Sequence, residues 1–243
     1  MKVVIPCAGW GTRMYPVSKT LPKELLPIVN KPILSYVIEE CIENGIEEYI
    51  IIVNPYKLYI YEHYFKNDFP DLKVKFVIQN EMKGYVDALL LCEYYLKEPF
   101  VLILPDNLFV DDGSFLEKLI KKHKEKGCSV MGVSIAKGDP RRYGLVRHED
   151  YKMLEFVEKP ENPPSNLAHN GWDIFTPKIF DIVKLVEGEE NIKTTVAFNK
   201  LIEEEGMYAC EYKGEWLDTG NPNEFVKSFL KLVDKELLPH KSL

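Results

Sequence analysis

Apolar runs that alternate with helical patterns are the feature that most constrains the fold of this chain. The apolar runs lie at 3–5, 50–53, 74–78 and 100–104, and the helical patterns at about 33–44, 56–66, 85–97 and 114–126. Such alternation predicts an α/β fold in which a mixed, mainly parallel, Rossmann-like sheet is covered by helices on both faces. Ligands of such sheets bind at the carboxyl ends of the strands.

The pattern changes after residue 128. Short strand-like stretches lie at 129–135, 143–147, 153–158 and 172–175, and polar loops separate them. They predict an extension of the sheet and a smaller β-rich lobe. Helices near 177–187 and 195–205, strands near 207–217 and a helix near 223–236 complete the pattern. The loop from Pro160 to Pro164 is too short to link two domains, so we predict one domain over 1–243, with parts at about 1–135, 136–220 and 221–243.

Composition and charge exclude several classes of protein. The net charge of −7 argues against nucleic-acid binding, which requires a basic face. No apolar run approaches the roughly 20 residues of a membrane span, and no signal pattern precedes the first apolar run. The five cysteines are scattered and show neither a disulfide framework nor a zinc-binding spacing. We therefore expect a cytoplasmic protein without nucleic-acid or membrane partners.

A glycine-containing turn follows the first apolar run. Gly9 and Gly11 leave backbone N–H groups open to a phosphate, and Thr12 adds a hydroxyl donor. Arg13 offers a guanidinium fork suited to two phosphate oxygens. Lys23 adds a second cation in a segment that prolines stiffen. The turn therefore predicts a triphosphate-binding loop.

Two better-known glycine loops do not fit this turn. The loop of P-loop NTPases, G-x-x-x-x-G-K-[ST], requires a lysine and a hydroxyl residue directly after its second glycine. The glycine turn of this chain has no such pair at that position. The dinucleotide fingerprint requires a glycine where Met14 stands and an acidic residue where Asn54 stands. A turn without a ligand would explain the glycines alone, but not the two cations beside them.

These motifs resemble the sugar-1-phosphate nucleotidyltransferases, also called nucleotide-sugar pyrophosphorylases. The family pattern A-G-(G)-x-G-T-R-[LM] stands here from Ala8 to Met14, and P-K-x-[LM]-L-P stands from Pro22 to Pro27. The resemblance implies catalytic roles for the arginine and lysine of these motifs. It implies nucleotide contacts for Ala8 and for the glycines and threonine of the turn. The single glycine after Ala8 is most similar to the bacterial UTP:glucose-1-phosphate uridylyltransferase branch.

Two aspartates are candidates for a magnesium site. Asp106 follows a buried apolar run, and Asp218 lies far along the chain in a Trp-Leu-Asp-Thr-Gly segment. Mg²⁺ prefers oxygen ligands and binds through one or two carboxylates together with substrate phosphates. Asp106 taken alone favours a role as a helix cap or turn residue. The family resemblance implies that both are metal ligands and that Asn107, next to the first, contacts the sugar.

Other motifs resemble the family's sugar-binding segments. Glu158 and Lys159 stand in a V-E-K-P motif, which implies that the lysine meets the sugar phosphate and the glutamate binds sugar hydroxyls. An exposed ion pair is the alternative interpretation. Gly144 ends an R-Y-G motif whose backbone would approach the sugar. Asp173 stands at a sugar-contacting position that is tyrosine in the thymidylyl branch, and His169 stands at a usually apolar position.

The base is indicated by Gln79, which is followed five residues later by Gly84. A glutamine amide can bind a pyrimidine edge, and a glycine permits close approach of the backbone. Uracil and thymine share that edge. The Trp-Leu-Asp-Thr-Gly segment is closer to the thymidylyl branch, whereas the glycine turn is closer to the uridylyl branch.

Together these motifs predict a magnesium-dependent enzyme that transfers a nucleotidyl group from UTP to glucose 1-phosphate, giving UDP-glucose and pyrophosphate. The catalytic cations would be Arg13, Lys23 and Lys159. The part at about 1–135 would bind the nucleotide, and the part at about 136–220 the sugar and second metal ligand. Transfer from dTTP, or to another hexose 1-phosphate, is the alternative, and a catalytically silent nucleotide-sugar sensor is a remote one. Formation of a homo-oligomer is left open.

Overall fold

A computed structural model describes residues 1–186 and 190–236, without the side chains of 190–192, 235 and 236. The strands of these ranges are β1 (Lys2–Pro6), β2 (Pro27–Ile28), β3 (Lys31–Pro32), β4 (Glu48–Val53), β5 (Lys73–Ile78), β6 (Phe100–Ile103), β7 (Asn107–Val110), β8 (Ser129–Ile135), β9 (Gly144–Glu149), β10 (Lys152–Glu158), β11 (Leu167–Phe175), β12 (Met207–Glu211) and β13 (Glu215–Asp218). The helices are α1 (Ile33–Glu43), α2 (Leu58–Asp68), α3 (Tyr85–Leu90), α4 (Phe115–Lys126), α5 (Lys178–Val183), α6 (Glu190–Glu204) and α7 (Pro222–Glu236). The last seven residues of the predicted C-terminal part lie outside the described ranges.

A nine-stranded sheet organises the molecule, in the order β5-β4-β1-β6-β11-β8-β12-β10-β9. The first four strands are parallel, as expected for strands joined by helical crossovers. β11 then runs antiparallel to β6 and β8, and β12 returns parallel to β8. The prediction of a mixed α/β sheet is confirmed, and the sheet continues across both predicted main parts.

Successive residues of the central strands point to opposite faces of the sheet, and each face is covered by helices. Val3 and Ile5 belong to a buried cluster that includes residues of α1, α2 and α4. Val4 belongs to a second cluster that includes residues of α3, α5 and α6. A strand covered on both faces reads as a continuous apolar run, which explains the sequence pattern of β1.

Two segments differ from the sequence prediction. The helix predicted over 85–97 ends at Leu90, and the following Leu91 and Tyr94 are exposed, so their apolar character does not report a buried helical face. The strands predicted over 207–217 separate into β12 and β13. Gly214 lies between them, where a Cβ atom would come within 2.5 Å of the Val110 carbonyl oxygen. This close approach lets β13 leave the main sheet and pair with β7.

No described helix combines the length and the apolar composition needed to cross a membrane.

Gly132→Ala is expected to destabilise the fold severely. A Cβ atom at this position of β8 would lie 2.2 Å from the Trp172 carbonyl oxygen of β11. Because the clash is with backbone, we expect a loss of at least about 3 kcal/mol in the free energy of unfolding. Gly45→Ala is the matched control: its space is open and only its φ of +72° is unfavourable, for an expected cost of about 1–2 kcal/mol. Equal costs in urea unfolding of the two variants would contradict the strand contact.

Candidate active site

The topology brings several loops to one edge of the sheet. β1 pairs in parallel with β4 on one side and with β6 on the other. The turn that contains Gly9 therefore emerges beside the Pro105-Asp106 step that follows β6. Asn54 and Gln79 follow β4 and β5 at the same edge. The glycine turn and Asp106 thus both lie at the carboxyl ends of parallel strands, where ligands of such sheets were expected to bind.

Two side chains of the β4–α2 connection hold the backbone of the glycine turn by hydrogen bonds. Asn54 donates from Nδ2 to the Ala8 carbonyl oxygen at 2.7 Å. Lys57 donates from Nζ to the Gly9 carbonyl oxygen at 2.8 Å. Gly11 has φ +67°, a conformation that suits glycine. The sequence analysis predicted no supporting role for either residue. It used Asn54 only to exclude a dinucleotide-binding fold.

A cavity of about 320 Å³ opens over this turn. Predicted residues that line it are Ala8, Gly9, Arg13, Lys23, Gln79, Gly84 and Asp106. Gln79 is buried and donates from Nε2 to the Gly84 carbonyl oxygen at 3.3 Å, so the two residues of the predicted base site are held together. Met82, Tyr85 and Ala88 complete the wall near them. We name this space the nucleotide cavity.

Lys23 and Asp106 form a close ion pair at the floor of the nucleotide cavity. Their Nζ and Oδ2 atoms are 2.5 Å apart, and the side chains are 17% and 18% exposed. Burial alone would lower the pKa of Lys23, but Asp106 and Glu24 outweigh burial and raise it. Burial likewise opposes the charge of Asp106, whereas Lys23 and then Arg13 lower its pKa. Both groups are therefore charged at neutral pH.

Asp218 joins Asp106 through the pairing of β13 with β7, which sets Asp218 opposite Asn107. Thr219 secures the junction, since its backbone N–H and its hydroxyl both donate to the Asp106 carbonyl oxygen, at 2.8 and 3.0 Å. A Cβ atom on Gly220 would lie 3.0 Å from Asp106 Oδ2 and 3.0 Å from Asp218 Oδ1. The two carboxylate oxygens thus border one gap, which only a glycine leaves open.

This pair of carboxylates suits a divalent cation of the magnesium type. Burial, with a further contribution from the Asp106 charge, raises the pKa of Asp218 despite a hydrogen bond from the Gly220 N–H. A cation in the shared gap would relieve that repulsion. The described residues contain no cluster of three or more acidic, histidine or cysteine side chains arranged for a metal. Two carboxylates completed by substrate phosphates are the arrangement that Mg²⁺ commonly uses.

A second cavity, of about 250 Å³, adjoins the first. Its predicted residues are Arg13, Asp106, Asn107, Gly144, Glu158, Lys159 and Asp218. Arg13 and Asp106 also line the nucleotide cavity, so the two spaces meet at these side chains. Arg142, Tyr143, His169, Asn170 and Gly171 were not predicted to line it. We name this space the sugar cavity.

The sugar cavity is shaped by an unusual backbone conformation at the end of β10. Lys159 has φ +48°, which is uncommon outside glycine. Its N–H donates to the Tyr143 carbonyl oxygen at 3.1 Å, and its Nζ lies 3.2 Å from Glu158 Oε1. A Cβ atom on Gly144 would lie 2.6 Å from Glu158 Oε2. The glycine therefore determines where the glutamate carboxylate can stand.

Asn107 is held by two tryptophans from different strands. Trp216 of β13 donates from Nε1 to its side-chain oxygen at 2.8 Å, and Trp172 of β11 donates from Nε1 to its carbonyl oxygen at 3.1 Å. These bonds fix the amide so that its NH₂ group faces the neighbouring Asp106 carboxylate, at 3.4 Å. Tryptophan N–H groups require partners when they are buried, and Asn107 supplies both.

Three predicted residues do not line either cavity. Gly11 and Thr12 lie at the outer end of the turn, where Gly11 accepts a hydrogen bond from Ser18 Oγ at 2.6 Å. Asp173 is fully buried, and both of its carboxylate oxygens are already hydrogen-bonded within the protein. The prediction that Asp173 contacts a sugar directly is therefore corrected, because His169 stands between this carboxylate and the sugar cavity.

A sequence model of the nucleotidyl transferase family matches residues 2–235. The chain belongs to this family. A UTP–glucose-1-phosphate uridylyltransferase of Staphylococcus saprophyticus is 33% identical to this nucleotidyl transferase. The alignment covers 100% of this chain and 95% of the relative. A second such enzyme, from Staphylococcus epidermidis, is 32% identical over 97% of the chain and 93% of the relative. The family and the enzyme class predicted from the sequence are confirmed.

Solved structures support the same relationship. A UDP-glucose pyrophosphorylase complexed with UDP-glucose superimposes on this nucleotidyl transferase with a TM-score of 0.88 and 30% identity, over 97% of this chain and 99% of the other. A UTP-bound UGPase from Acinetobacter baumannii gives a TM-score of 0.82 and 26% identity, over 100% of this chain and 95% of the other. The predicted fold class is confirmed by both.

Proposed function

We propose that this nucleotidyl transferase joins UTP to glucose 1-phosphate, releasing pyrophosphate and UDP-glucose. The observation that carries the proposal is the meeting of the two cavities at Arg13 and Asp106. One cavity has the glycine turn and the Gln79 amide, and the other has Lys159 and Glu158. The names of the relatives, and the ligands in the titles of two similar structures, favour UTP and UDP-glucose.

The reaction is a single displacement at the α-phosphorus of the nucleotide. An oxygen of the sugar phosphate forms the new P–O bond, and the bond to the β-phosphate oxygen breaks, so that pyrophosphate leaves with the electron pair. Lys159 holds the attacking phosphate, while Arg13 and Lys23 stabilise the charge that develops on the leaving group. Burial raises the pKa of Cys7, the thiol beside the loop, well above its ordinary value, so this thiol does not supply a covalent nucleophile.

Asp106 and Asp218 would hold the Mg²⁺ ion. When bound there, the ion neutralises phosphate charge and helps to orient the α-phosphate. The residues around it have separate tasks: Thr219 fixes the distance between the two carboxylate loops, and Lys23 remains charged beside Asp106. The silent-sensor alternative would require loss of this constellation, whereas all of its charged members are present.

A thymidylyl donor is the second candidate, because the segment from Trp216 to Gly220 is closer to that branch in sequence. Gln79 and Gly84 can bind the edge that uracil and thymine share. The test is steady-state pyrophosphate release with Mg²⁺ and glucose 1-phosphate, using UTP, dTTP, CTP, ATP and GTP in turn. We expect the highest kcat/KM with UTP. A higher kcat/KM with dTTP would favour the second candidate, and a purine preference would contradict the proposed base site.

Gly144→Ala is expected to weaken use of the sugar phosphate. The new Cβ atom would displace Glu158 Oε2 and press on the Phe156 ring, at 2.6 and 2.4 Å in the present arrangement. Displacing one charged hydrogen-bond partner predicts a rise of about tenfold or more in KM for glucose 1-phosphate. KM for UTP should stay within about twofold, since the glycine does not line the nucleotide cavity. An unchanged KM for glucose 1-phosphate in a folded variant would contradict the assigned sugar site.

A further inference from the structure

A histidine–aspartate pair borders the sugar cavity: His169 lines the cavity, and Asp173 lies behind the histidine. His169 and Asp173 are both in β11, on either side of the irregularity at which its pairing with β8 shifts. His169 Nε2 lies 2.8 Å from Asp173 Oδ2, and the two side chains are 7% and 0% exposed. Asp173 also accepts a hydrogen bond at Oδ1 from the Gly132 N–H, at 3.2 Å. The aspartate is thus fixed and in turn fixes the ring.

The contacts of the imidazole with the described residues leave one ring nitrogen for a ligand. Phe156 of β10 and Phe198 of α6 meet the His169 ring edge-on, with centroids 6.0 and 6.1 Å away. His169 itself lines the sugar cavity together with Glu158. Within the described residues, Nδ1 has no hydrogen-bond partner, whereas Nε2 is committed to Asp173. The free nitrogen is therefore the one available to the cavity.

We propose that His169 is a sugar-specificity residue, in which Nδ1–H donates a hydrogen bond to a ring hydroxyl of the hexose 1-phosphate while Asp173 positions the ring. This proposal rests on the proposed function. Glu158, on the same cavity, accepts from that hydroxyl or from its neighbour, so the donor and acceptor match a pair of sugar hydroxyls. A phosphate dianion is disfavoured at this wall, because the Glu158 carboxylate would repel it.

The protonation state of His169 decides whether Nδ1 is a donor. With Nε2–H donating to Asp173, a neutral ring has a bare Nδ1, and only the imidazolium carries a proton on both nitrogens. Asp173 on its own strand and Glu158 on β10 are the charged groups that act on it, whereas α6 presents the apolar Phe198. Burial lowers the pKa of His169, but the two carboxylates outweigh burial and raise it above its ordinary value.

The sign of the pH effect follows from this raised pKa. The imidazolium, and with it the hydroxyl contact, is fully present below the ordinary histidine pKa of about 6.5 and is lost as pH rises through the higher folded-state value. KM for glucose 1-phosphate is therefore expected to rise as pH rises through the raised pKa of His169, whereas KM for UTP does not follow it. The second ionisation of the sugar phosphate occurs near pH 6 and is common to all variants.

The deciding experiment compares His169→Gln, Asp173→Asn and the exposed control His63→Gln. His169→Gln keeps an amide that can reach Asp173 but has no donor at Nδ1, so KM for glucose 1-phosphate is expected to rise about tenfold and to lose its dependence on pH. Asp173→Asn can donate to Nε2 and leave the proton on Nδ1, which removes the pH dependence and spares much of the affinity. His63→Gln should match the parent protein. An unchanged KM and pH profile in His169→Gln would overturn the proposal, as would equal rises in KM for both substrates.

A binding measurement separates this proposal from the proposed function. In the parent protein with labelled histidine, glucose 1-phosphate is expected to shift the imidazole NMR signals of His169, as identified by their loss in His169→Gln. If no hexose 1-phosphate supports pyrophosphate release, the proposed function fails, and the NMR titration still decides the role of His169. The absence of any shift at saturating glucose 1-phosphate would overturn that role.

Discussion

Lys23→Ala is expected to lower kcat by about 100- to 1,000-fold, the usual effect of removing one preorganised charge from a transition-state site. Lys23 is a partly buried cation of the nucleotide cavity, held 2.5 Å from Asp106 Oδ2 and 3.9 Å from Glu24 Oε1. Its charge lies where pyrophosphate would leave. The loss should fall on kcat more than on KM for UTP, because that negative charge is greatest in the transition state.

The fold should survive this substitution. Without its cationic partner, Asp106 can take up a proton, and the cavity admits water, so the charge imbalance does not have to unfold the protein. Lys19→Ala is the matched control, since Lys19 belongs to the same segment but is exposed and faces the Tyr15 ring at 5.1 Å. Normal turnover in folded Lys23→Ala would contradict the catalytic role, as would an equal loss in Lys19→Ala.

Asp106→Asn and Asp218→Asn are each expected to lower magnesium-dependent turnover by about 100-fold or more, because each removes one anionic ligand from the proposed metal site. Asp218→Asn should not lower the melting temperature. Its amide oxygen can still accept the bond from the Gly220 N–H, which is 2.7 Å long in the native protein. Its lack of charge also removes the repulsion between the two carboxylates. A variant that is inactive and at least as stable identifies a residue kept for chemistry rather than for folding.

Pyrophosphate release across a magnesium titration, together with a melting curve, checks both aspartate variants. Asp181→Asn provides the control, because Asp181 is an exposed aspartate of α5 and lines neither cavity. Activity restored to the parent level by excess Mg²⁺ would indicate a weak contribution to binding alone. Full activity at ordinary magnesium concentrations would rule out the assignment of these carboxylates as the metal site.

The local part of the site could be predicted from the sequence. Val3, Val4 and Ile5 predict a strand buried on both faces, and a glycine turn that follows such a strand must open at the carboxyl edge of the sheet. Asp106 shortly follows β6, so it is predicted to lie at the same edge for the same reason. The first strand, the turn and the two cations all lie within one short segment, so periodicity and local chemistry were sufficient to predict them.

Long-range pairing could not be predicted from residue patterns. Asp218 reaches Asp106 only because β13 leaves the main sheet at Gly214 and pairs with β7, more than a hundred positions earlier in the chain. Trp216 reaches Asn107 by the same route. Family resemblance suggested the metal pair, but no spacing in the sequence required it. The support of the glycine turn by Lys57 was missed for the same reason.

The directions of the side chains near the irregular part of β11 could not be predicted from the sequence either. Gly171 has φ +86°, and the pairing of β11 with β8 shifts between His169 and Asp173. A regular alternation would place these two residues on the same face, with equal access to the cavity. The irregularity instead leaves the histidine at the cavity wall and buries the aspartate behind it. The sequence did contain one indication of this arrangement: His169 stands four residues before Asp173 in an otherwise mostly apolar strand.

The transfer from UTP to glucose 1-phosphate is tested most directly by incubating the purified protein with UTP, glucose 1-phosphate and Mg²⁺ and identifying the products by ³¹P NMR. We expect equal amounts of UDP-glucose and pyrophosphate, with no products when either substrate is omitted. Phosphate or UMP formed without any nucleotide-sugar would contradict the meeting of two substrate cavities at Arg13 and Asp106. Failure to form a nucleotide-sugar from any pairing of nucleotide and hexose 1-phosphate would contradict it equally.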